Sequence, residues 1–171
     1  MKRVSLLFVA LGFLVAGCGS SSTAPTTPTN PTFTAALSPA NEVPAISGAE
    51  ASGSGTATIT MVTTKDSAGN VTAATATFVV NLSGFPAGTP INISHIHQAA
   101  AGVNGAVVVN SGITAGQNVL TNGSGSFTAA NLTVDPALAN TILANPAGFY
   151  FNVHSTLNPG GVARGQLVRT Q

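Results

Sequence analysis

From residue 33 onward, apolar and polar residues alternate with a period of two, which is the pattern of β-strands that bury one face. Clusters of Gly, Asn and Pro separate the alternating runs, as turns do. Short strands with turns between them predict an all-β fold, an antiparallel β-sandwich. The predicted strands are residues 57–62, 71–82, 91–97, 106–110, 125–132, 149–154 and 165–168.

The segment 135–145 departs from this alternation and predicts one short helix. Asp135 stands where a helix N-cap is expected, and Pro136 fits the first helical position. Apolar residues then recur at helical spacing, and Pro146 follows the end of the pattern. We therefore expect this helix to cap the sandwich.

The first 17 residues predict a lipoprotein signal peptide. Two basic residues precede an apolar run over 4–15, which is shorter than the ~20 residues that span a bilayer. The run ends in Leu-Val-Ala-Gly-Cys, which resembles the lipobox of bacterial lipoproteins, so Cys18 is the expected lipidation site. An ordinary signal peptide followed by a chance cysteine is the alternative.

Residues 18–31 contain Ser, Thr and Pro but no large apolar side chain, so they predict a flexible tether. One folded domain is then expected over residues 32–171. We expect the protein in the cell envelope, held to a membrane by the lipid on Cys18. The outer membrane or cell surface is the expected place, and the periplasmic face is the alternative.

Charge is scarce, since only 5% of the residues are charged. After removal of the signal peptide, three basic residues stand against four acidic ones, without a basic cluster. This composition excludes nucleic-acid binding as a function, because nothing would neutralise a phosphate backbone. The single cysteine lies at the end of the signal peptide, so the domain forms no internal disulfide.

Four stretches of the sequence together form a recognisable pattern, namely residues 36–44, 95–97 with 102–105, 148–155 and 159–167. In this order they resemble the CHRD domain, named for the repeats of chordin. The resemblance implies a β-sandwich with immunoglobulin-like topology and says little about activity. The sequence departs from the family pattern after His97, where a glycine is usual, and before Arg164, where a glutamate is frequent.

All three histidines of the chain lie in these stretches. His95 and His97 are two residues apart on a predicted strand, so their side chains share one face. If the strand that ends with His154 is a neighbour, the three imidazoles form a site suited to Cu or Zn. The alternative is structural, because Ile91 and Ile93 share that alternation face. The histidines could then complete a core-facing strand and hydrogen-bond to loop carbonyls.

Glu42 and Arg164 are charged residues within otherwise apolar or turn-forming stretches. A buried ion pair between them is one prediction, and it would fix the register more than it stabilises the fold. Glu42 as an additional metal ligand beside the histidines is the other. The sequence shows no recognisable catalytic residues.

The first functional hypothesis is a membrane-anchored binding or interaction module without enzymatic activity, whose partner is an unknown protein or small ligand. The alternative is a metal-binding protein that holds Cu or Zn through His95, His97 and His154. A redox enzyme built on the same three histidines is a third hypothesis.

Overall fold

The computed structural model describes residues 30–171, and the predicted signal peptide, Cys18 and most of the predicted tether lie outside that range. Ten strands, one α-helix and two single turns of 3₁₀ helix (Pro39–Asn41 and Pro146–Gly148) form the described part. No helix in this part is long and apolar enough to cross a membrane. In chain order the main elements are β1 (Thr32–Leu37), β2 (Ser54–Lys65), β3 (Val71–Ser83), β4 (Thr89–Gln98), β5 (Ala106–Asn110), β6 (Asn118–Leu120), β7 (Gly125–Val134), α1 (Pro136–Ala144), β8 (Phe149–Ser155), β9 (Ala163–Gln166) and β10 (Val168–Arg169).

The strands form two antiparallel sheets. The first sheet has the order β10-β1-β2-β3-β7, and the second has the order β5-β4-β8-β9, with β6 also paired to β4. The predicted all-β antiparallel sandwich is therefore confirmed.

The hydrophobic core lies between the two sheets. Phe78 of β3 and Phe151 of β8 are fully buried and meet edge to face, with ring centroids 5.2 Å apart. Each such side chain contributes about 1.5–3 kcal/mol through its removal from water. One continuous apolar cluster joins residues of both sheets, so the sheets stabilise each other.

β1 connects the two sheets. After its last residue, Ser38 exchanges backbone hydrogen bonds with Arg164 of the second sheet, at 3.1 and 3.3 Å. Gly165 permits this approach, because a Cβ there would collide with the backbone carbonyl of Ala36. The loop that follows β1 is thereby directed over the second sheet.

The predicted helix is confirmed as α1. The Asp135 carboxylate accepts hydrogen bonds from the backbone N–H groups of Ala137 (2.9 Å) and Leu138 (3.0 Å), which makes it the N-cap. Ala139 and Ile142 are buried against the sandwich. The helix therefore caps the core, as the sequence predicted.

Two strands at the end of the chain differ from the prediction. The run 165–168 was predicted as one strand, but it divides into β9 and β10, which belong to different sheets. The division occurs at Leu167, whose side chain enters the core and whose N–H donates to the carbonyl of Phe149 at 2.9 Å. The strands β1 and β6 were not among the predicted ones.

Candidate metal centre

The three histidines lie on the outer face of the second sheet. β4 and β8 are hydrogen-bonded neighbours, so the condition that the sequence left open for His154 is met. In their register Ile93 lies opposite His154, and residues directly opposite on paired strands share a face. His95 and His97 share that face, because they follow Ile93 at intervals of two. Ile96 and its partner on β8, Phe151, instead point into the core.

A β-bulge explains why the histidines do not face the core. Between Ile91 and Ile93, β4 advances two residues while β8 advances one, from Ser155 to His154. Ile91 therefore lies in the core, whereas Ile93 and the histidines lie on the opposite face. The predicted placement of the histidines on a core-facing strand is wrong, because the alternation is interrupted at the bulge. The hydrogen bonds to loop carbonyls that the same hypothesis predicted are present for His97 and His154.

The three imidazoles form a compact, buried cluster. One nitrogen from each of His95, His97 and His154 lies within 4.8 Å of the others, and each residue is at most 8% exposed. The ring centroid of His95 is 4.8 Å from that of His154 and 5.4 Å from that of His97. Histidine nitrogens bind Zn²⁺ at about 2.0–2.1 Å, so the three rings would have to move closer together to share one ion.

Hydrogen bonds to loop carbonyls orient two of the rings. Nδ1 of His97 is 2.9 Å from the carbonyl oxygen of Gly105, and Nδ1 of His154 is 2.8 Å from that of Pro159. A carbonyl oxygen only accepts, so each Nδ1 carries the proton and each Nε2 keeps a free lone pair. Both Nε2 atoms are buried and have no hydrogen-bond partner within residues 30–171. This arrangement is typical of metal-binding histidines, whose second nitrogen donates to a carbonyl or carboxylate.

Burial keeps the three imidazoles neutral. It lowers the pKa of His95 to about 4, with further lowering from His154 and His97. Burial also lowers the pKa values of His97 and His154, although their hydrogen bonds to the carbonyls partly oppose it. Neutral imidazole is the form that binds a metal ion.

Tyr150 and Arg164 flank the cluster. The Tyr150 ring stacks on His97, with centroids 4.7 Å apart and an angle of 3° between the planes. The guanidinium of Arg164 lies 4.7 Å from the centroid of the same tyrosine ring. Since β8 lies between β4 and β9, the tyrosine ring separates the arginine charge from His97.

Glu42 lies beside Arg164 and not within the histidine cluster. Its Oε2 atom is 3.9 Å from Arg164 Nε, which instead donates a 2.6 Å hydrogen bond to the backbone carbonyl of Asn41. Among the described residues, the group close enough to share an ion consists of the three histidines alone. The geometry therefore favours the predicted ion pair over the predicted role as a metal ligand.

The Glu42 carboxyl is also unusual in its protonation. Burial raises its pKa to about 7, and the opposing effects of Arg164 and of a hydrogen bond with Asn152 are smaller. Gly161 lies against this carboxyl group, and its φ is +135°. A Cβ at this position would lie 2.7 Å from the Asn152 amide nitrogen and 2.8 Å from the Glu42 carboxylate. A glycine is therefore required at this point of the loop.

A comparison with protein families found a match that includes all four of the stretches singled out in the sequence. The family model of the CHRD domain matches residues 33–167. The chain belongs to the CHRD domain family. No significant match was found among curated proteins or solved structures.

The four stretches that resemble the CHRD domain in sequence converge at the histidine cluster. Residues 36–44 form the end of β1 and the loop over the second sheet, and residues 95–105 carry two histidines and the Gly105 carbonyl. Residues 148–155 form β8, and residues 159–167 supply the Pro159 carbonyl and Arg164. The CHRD-like stretches thus supply the three histidines and both carbonyls that orient His97 and His154.

Buried polar atoms without a partner are concentrated on the same face of the CHRD domain. Native structures leave few such atoms, so a cluster of them is a place where water, an ion or a ligand can supply the missing partners. Among the described residues, only the hydroxyl of Ser94 lies elsewhere, on the core side of β4. The atoms on the outer face are Glu42 Oε1, His95 Nδ1, His97 Nε2, Asn152 Oδ1, His154 Nε2 and Arg164 Nη2.

Sequence reasoning missed Glu50, a second buried carboxylate near the cluster. Glu50 is 2% exposed, and its Oε2 accepts hydrogen bonds from the side chains of Ser155 (2.7 Å) and Asn158. The scarcity of charged residues was the available signal, since a charge in so apolar a domain is expected to have a specific structural or functional role. The residue lies outside the CHRD-like stretches, and its partners in the fold are not visible in the sequence.

Proposed function

We propose that this CHRD domain is a metal-binding module that holds one Cu or Zn ion between His95, His97 and His154. The observation that carries the proposal is the convergence of three buried, neutral imidazoles. Two of them are oriented by carbonyl groups so that Nε2 is free. One nitrogen of each ring has no partner among the protein atoms of the described residues, so all three are available to an ion.

The set of ligand atoms supports the choice of metal. Three imidazole nitrogens without a carboxylate or a thiolate suit Cu²⁺ and Zn²⁺ rather than Ca²⁺ or Mg²⁺. Three protein ligands also leave one position of a tetrahedral ion open for water or for a group from a partner. We propose binding rather than catalysis, because the sequence shows no nucleophile paired with a base.

The proposal includes attachment to the cell envelope. The apolar run and lipobox-like sequence that end at Cys18 support a lipid anchor, and residues 18–31 support a tether. The domain would then act at a membrane surface as a metal-binding module whose open coordination position faces a partner.

Metal analysis tests the proposal. The full chain, purified without chelators or a histidine tag, is titrated with Zn²⁺ and with Cu²⁺, beside His95→Ala, His97→Ala and His154→Ala. We expect about one ion per chain, with affinity reduced at least ~100-fold in each histidine variant. Ser94→Ala is the matched control, since Ser94 lies between the two histidines on the opposite face of β4. It should bind like the wild type.

The absence of metal binding would contradict the proposal. If the wild-type chain binds neither ion and the histidine variants only unfold more easily, the metal-binding proposal fails. The histidines are then structural, and the domain is an interaction module without metal.

A further inference from the structure

Two loop carbonyls orient His97 and His154, and each of the two loops is held by a hydrogen bond between an asparagine and a buried charged residue. Gly105 lies in the loop between β4 and β5, and Pro159 lies in the loop between β8 and β9. In each loop an asparagine comes directly before the residue that supplies the carbonyl, namely Asn104 and Asn158. The side chain of each asparagine is bound by a buried charged residue.

Arg164 fixes the first loop. Its Nη1 donates a 2.8 Å hydrogen bond to Oδ1 of Asn104, and Nδ2 of Asn104 donates to the carbonyl of Val43 at 3.0 Å. The N–H of Gly105 donates to the hydroxyl of Tyr150 at 3.2 Å. These bonds hold the backbone at Gly105, whose carbonyl accepts the proton of His97.

Glu50 fixes the second loop. Its Oε2 accepts from Nδ2 of Asn158 and from the hydroxyl of Ser155, and that hydroxyl also accepts from the backbone N–H of Asn158 at 2.9 Å. The next residue, Pro159, supplies the carbonyl that accepts the proton of His154. The Glu50 carboxylate therefore does not contact His154 directly. It holds Asn158, and the neighbouring Pro159 holds the ring of His154.

The placement of charge in the domain supports a common role. The folded domain contains few charged residues, and Lys65, Asp66, Asp135 and Arg169 are exposed. The three buried ones are connected to the loops beside the histidines, since Arg164 binds Asn104, Glu50 binds Asn158, and Glu42 lies 3.9 Å from Arg164. Burying a charge is costly unless hydrogen bonds compensate it, so these positions need a gain that an apolar residue would not give.

We infer that Glu50 and Arg164 are positioning residues of the metal site. Glu50 acts through Asn158 and fixes the ring of His154, and Arg164 acts through Asn104 and fixes the ring of His97. Each holds its histidine in the tautomer that leaves Nε2 free for the ion. The inference rests on the proposed function.

The test separates the two connections. In the full chain, the tautomer of each histidine is measured by long-range ¹H–¹⁵N NMR without metal, and Zn²⁺ affinity is measured by competition with a chelator. Asn158→Ala should give His154 a mixture of tautomers, leave His97 unchanged and weaken Zn²⁺ binding by about 10–100-fold. Asn104→Ala should give His97 a mixture of tautomers and leave His154 unchanged. Glu50→Gln should also give His154 a mixture of tautomers, as Asn158→Ala does.

Asp135→Ala is the control for a general loss of stability, because it removes the cap of a helix away from the histidines. It should lower the melting temperature without changing either tautomer or the Zn²⁺ affinity. If the loop variants leave both tautomers as in the wild type, or weaken Zn²⁺ binding no more than the control, the inference is overturned. If the wild-type chain binds no zinc, the proposed function fails, and the crossed pattern of tautomers still supports or overturns the role of the two charges.

Discussion

At the scale of the residue, Glu42 lies where its own charge is disfavoured. Its carboxylate is 3.9 Å from Arg164, whose Nε is already engaged by the carbonyl of Asn41. The attraction of the arginine is therefore smaller than the cost of burial, and the pKa of Glu42 rises to about 7. A buried pair of this kind contributes little net stability.

Glu42→Gln tests this balance through pH. The folded state binds a proton at Glu42 below about pH 7, whereas an ordinary glutamate does so only below its usual pKa of 4.5. The stability of the wild type should therefore be highest, as far as this group is concerned, below about pH 4.5. That contribution should be lost as the pH rises through 7. Glutamine resembles the protonated carboxyl, so it should gain in stability relative to the wild type over this interval.

Urea unfolding of both proteins at pH 4.5 and pH 8 measures the difference. We expect the two free energies of unfolding to be similar at the lower pH and the variant to be the more stable at the higher pH. A difference that does not change with pH would show that Glu42 titrates normally in the folded state.

Individual residues show how far sequence reasoning reached. The His-x-His spacing was sufficient to predict that His95 and His97 share a face, because strand geometry is regular. The place of His154 beside them depended on a strand pairing that the sequence left open and that only the structure shows. The role of Glu50 was not predictable, because its partners Ser155 and Asn158 are more than a hundred residues away. Side-chain hydrogen bonds across such separations leave no local pattern.

At the scale of the element, α1 depends on its first turn. The Asp135 carboxylate satisfies two backbone N–H groups that would otherwise have no partner in the helix. Loss of such a cap usually costs about 0.5–2 kcal/mol. We expect Asp135→Ala to lower the free energy of unfolding by that amount, as measured by urea unfolding at pH 7. Asp135→Asn is the matched control, because asparagine caps helices equally well. Equal destabilisation by both substitutions would contradict the capping role.

The strands show where element prediction fails. The helix and most strands were predictable because their signals are local. The bulge in β4 was not, because Ile91 and Ile93 look like one continuous alternation, and only pairing with β8 reveals the extra residue. The change of sheet at Leu167 has the same cause, since a strand pattern does not specify its partner.

At the scale of the whole molecule, the two sheets share one core and have no disulfide to join them, since the only cysteine of the chain is Cys18. Phe151 lies at the centre of this contact, against Phe78 of the other sheet. Cavities left by such large side chains cost about 3–5 kcal/mol, which is a large part of the stability of a small domain.

We therefore expect Phe151→Ala to lower the free energy of unfolding by about 3–5 kcal/mol while unfolding remains a single transition. Val62→Ala on the outer face of β2 is the control, since Val62 is 50% exposed, and it should change stability by about 0.5 kcal/mol or less. Hydrogen exchange and circular dichroism should report the same midpoint. Separate midpoints for the two sheets would show that each is stable alone.

β1 also sets the distance between the start of the domain and the loop over the histidine face. Thr32 begins the strand, and the loop after Leu37 passes over the histidine face, so the two lie a strand's length of about 20 Å apart. If the residues before Thr32 tether the domain as proposed, the attachment point and the metal site lie at opposite ends of this strand. A tether at Thr32 would then leave the loops over the histidines uncovered, so an ion or a partner could reach them without displacing the point of attachment.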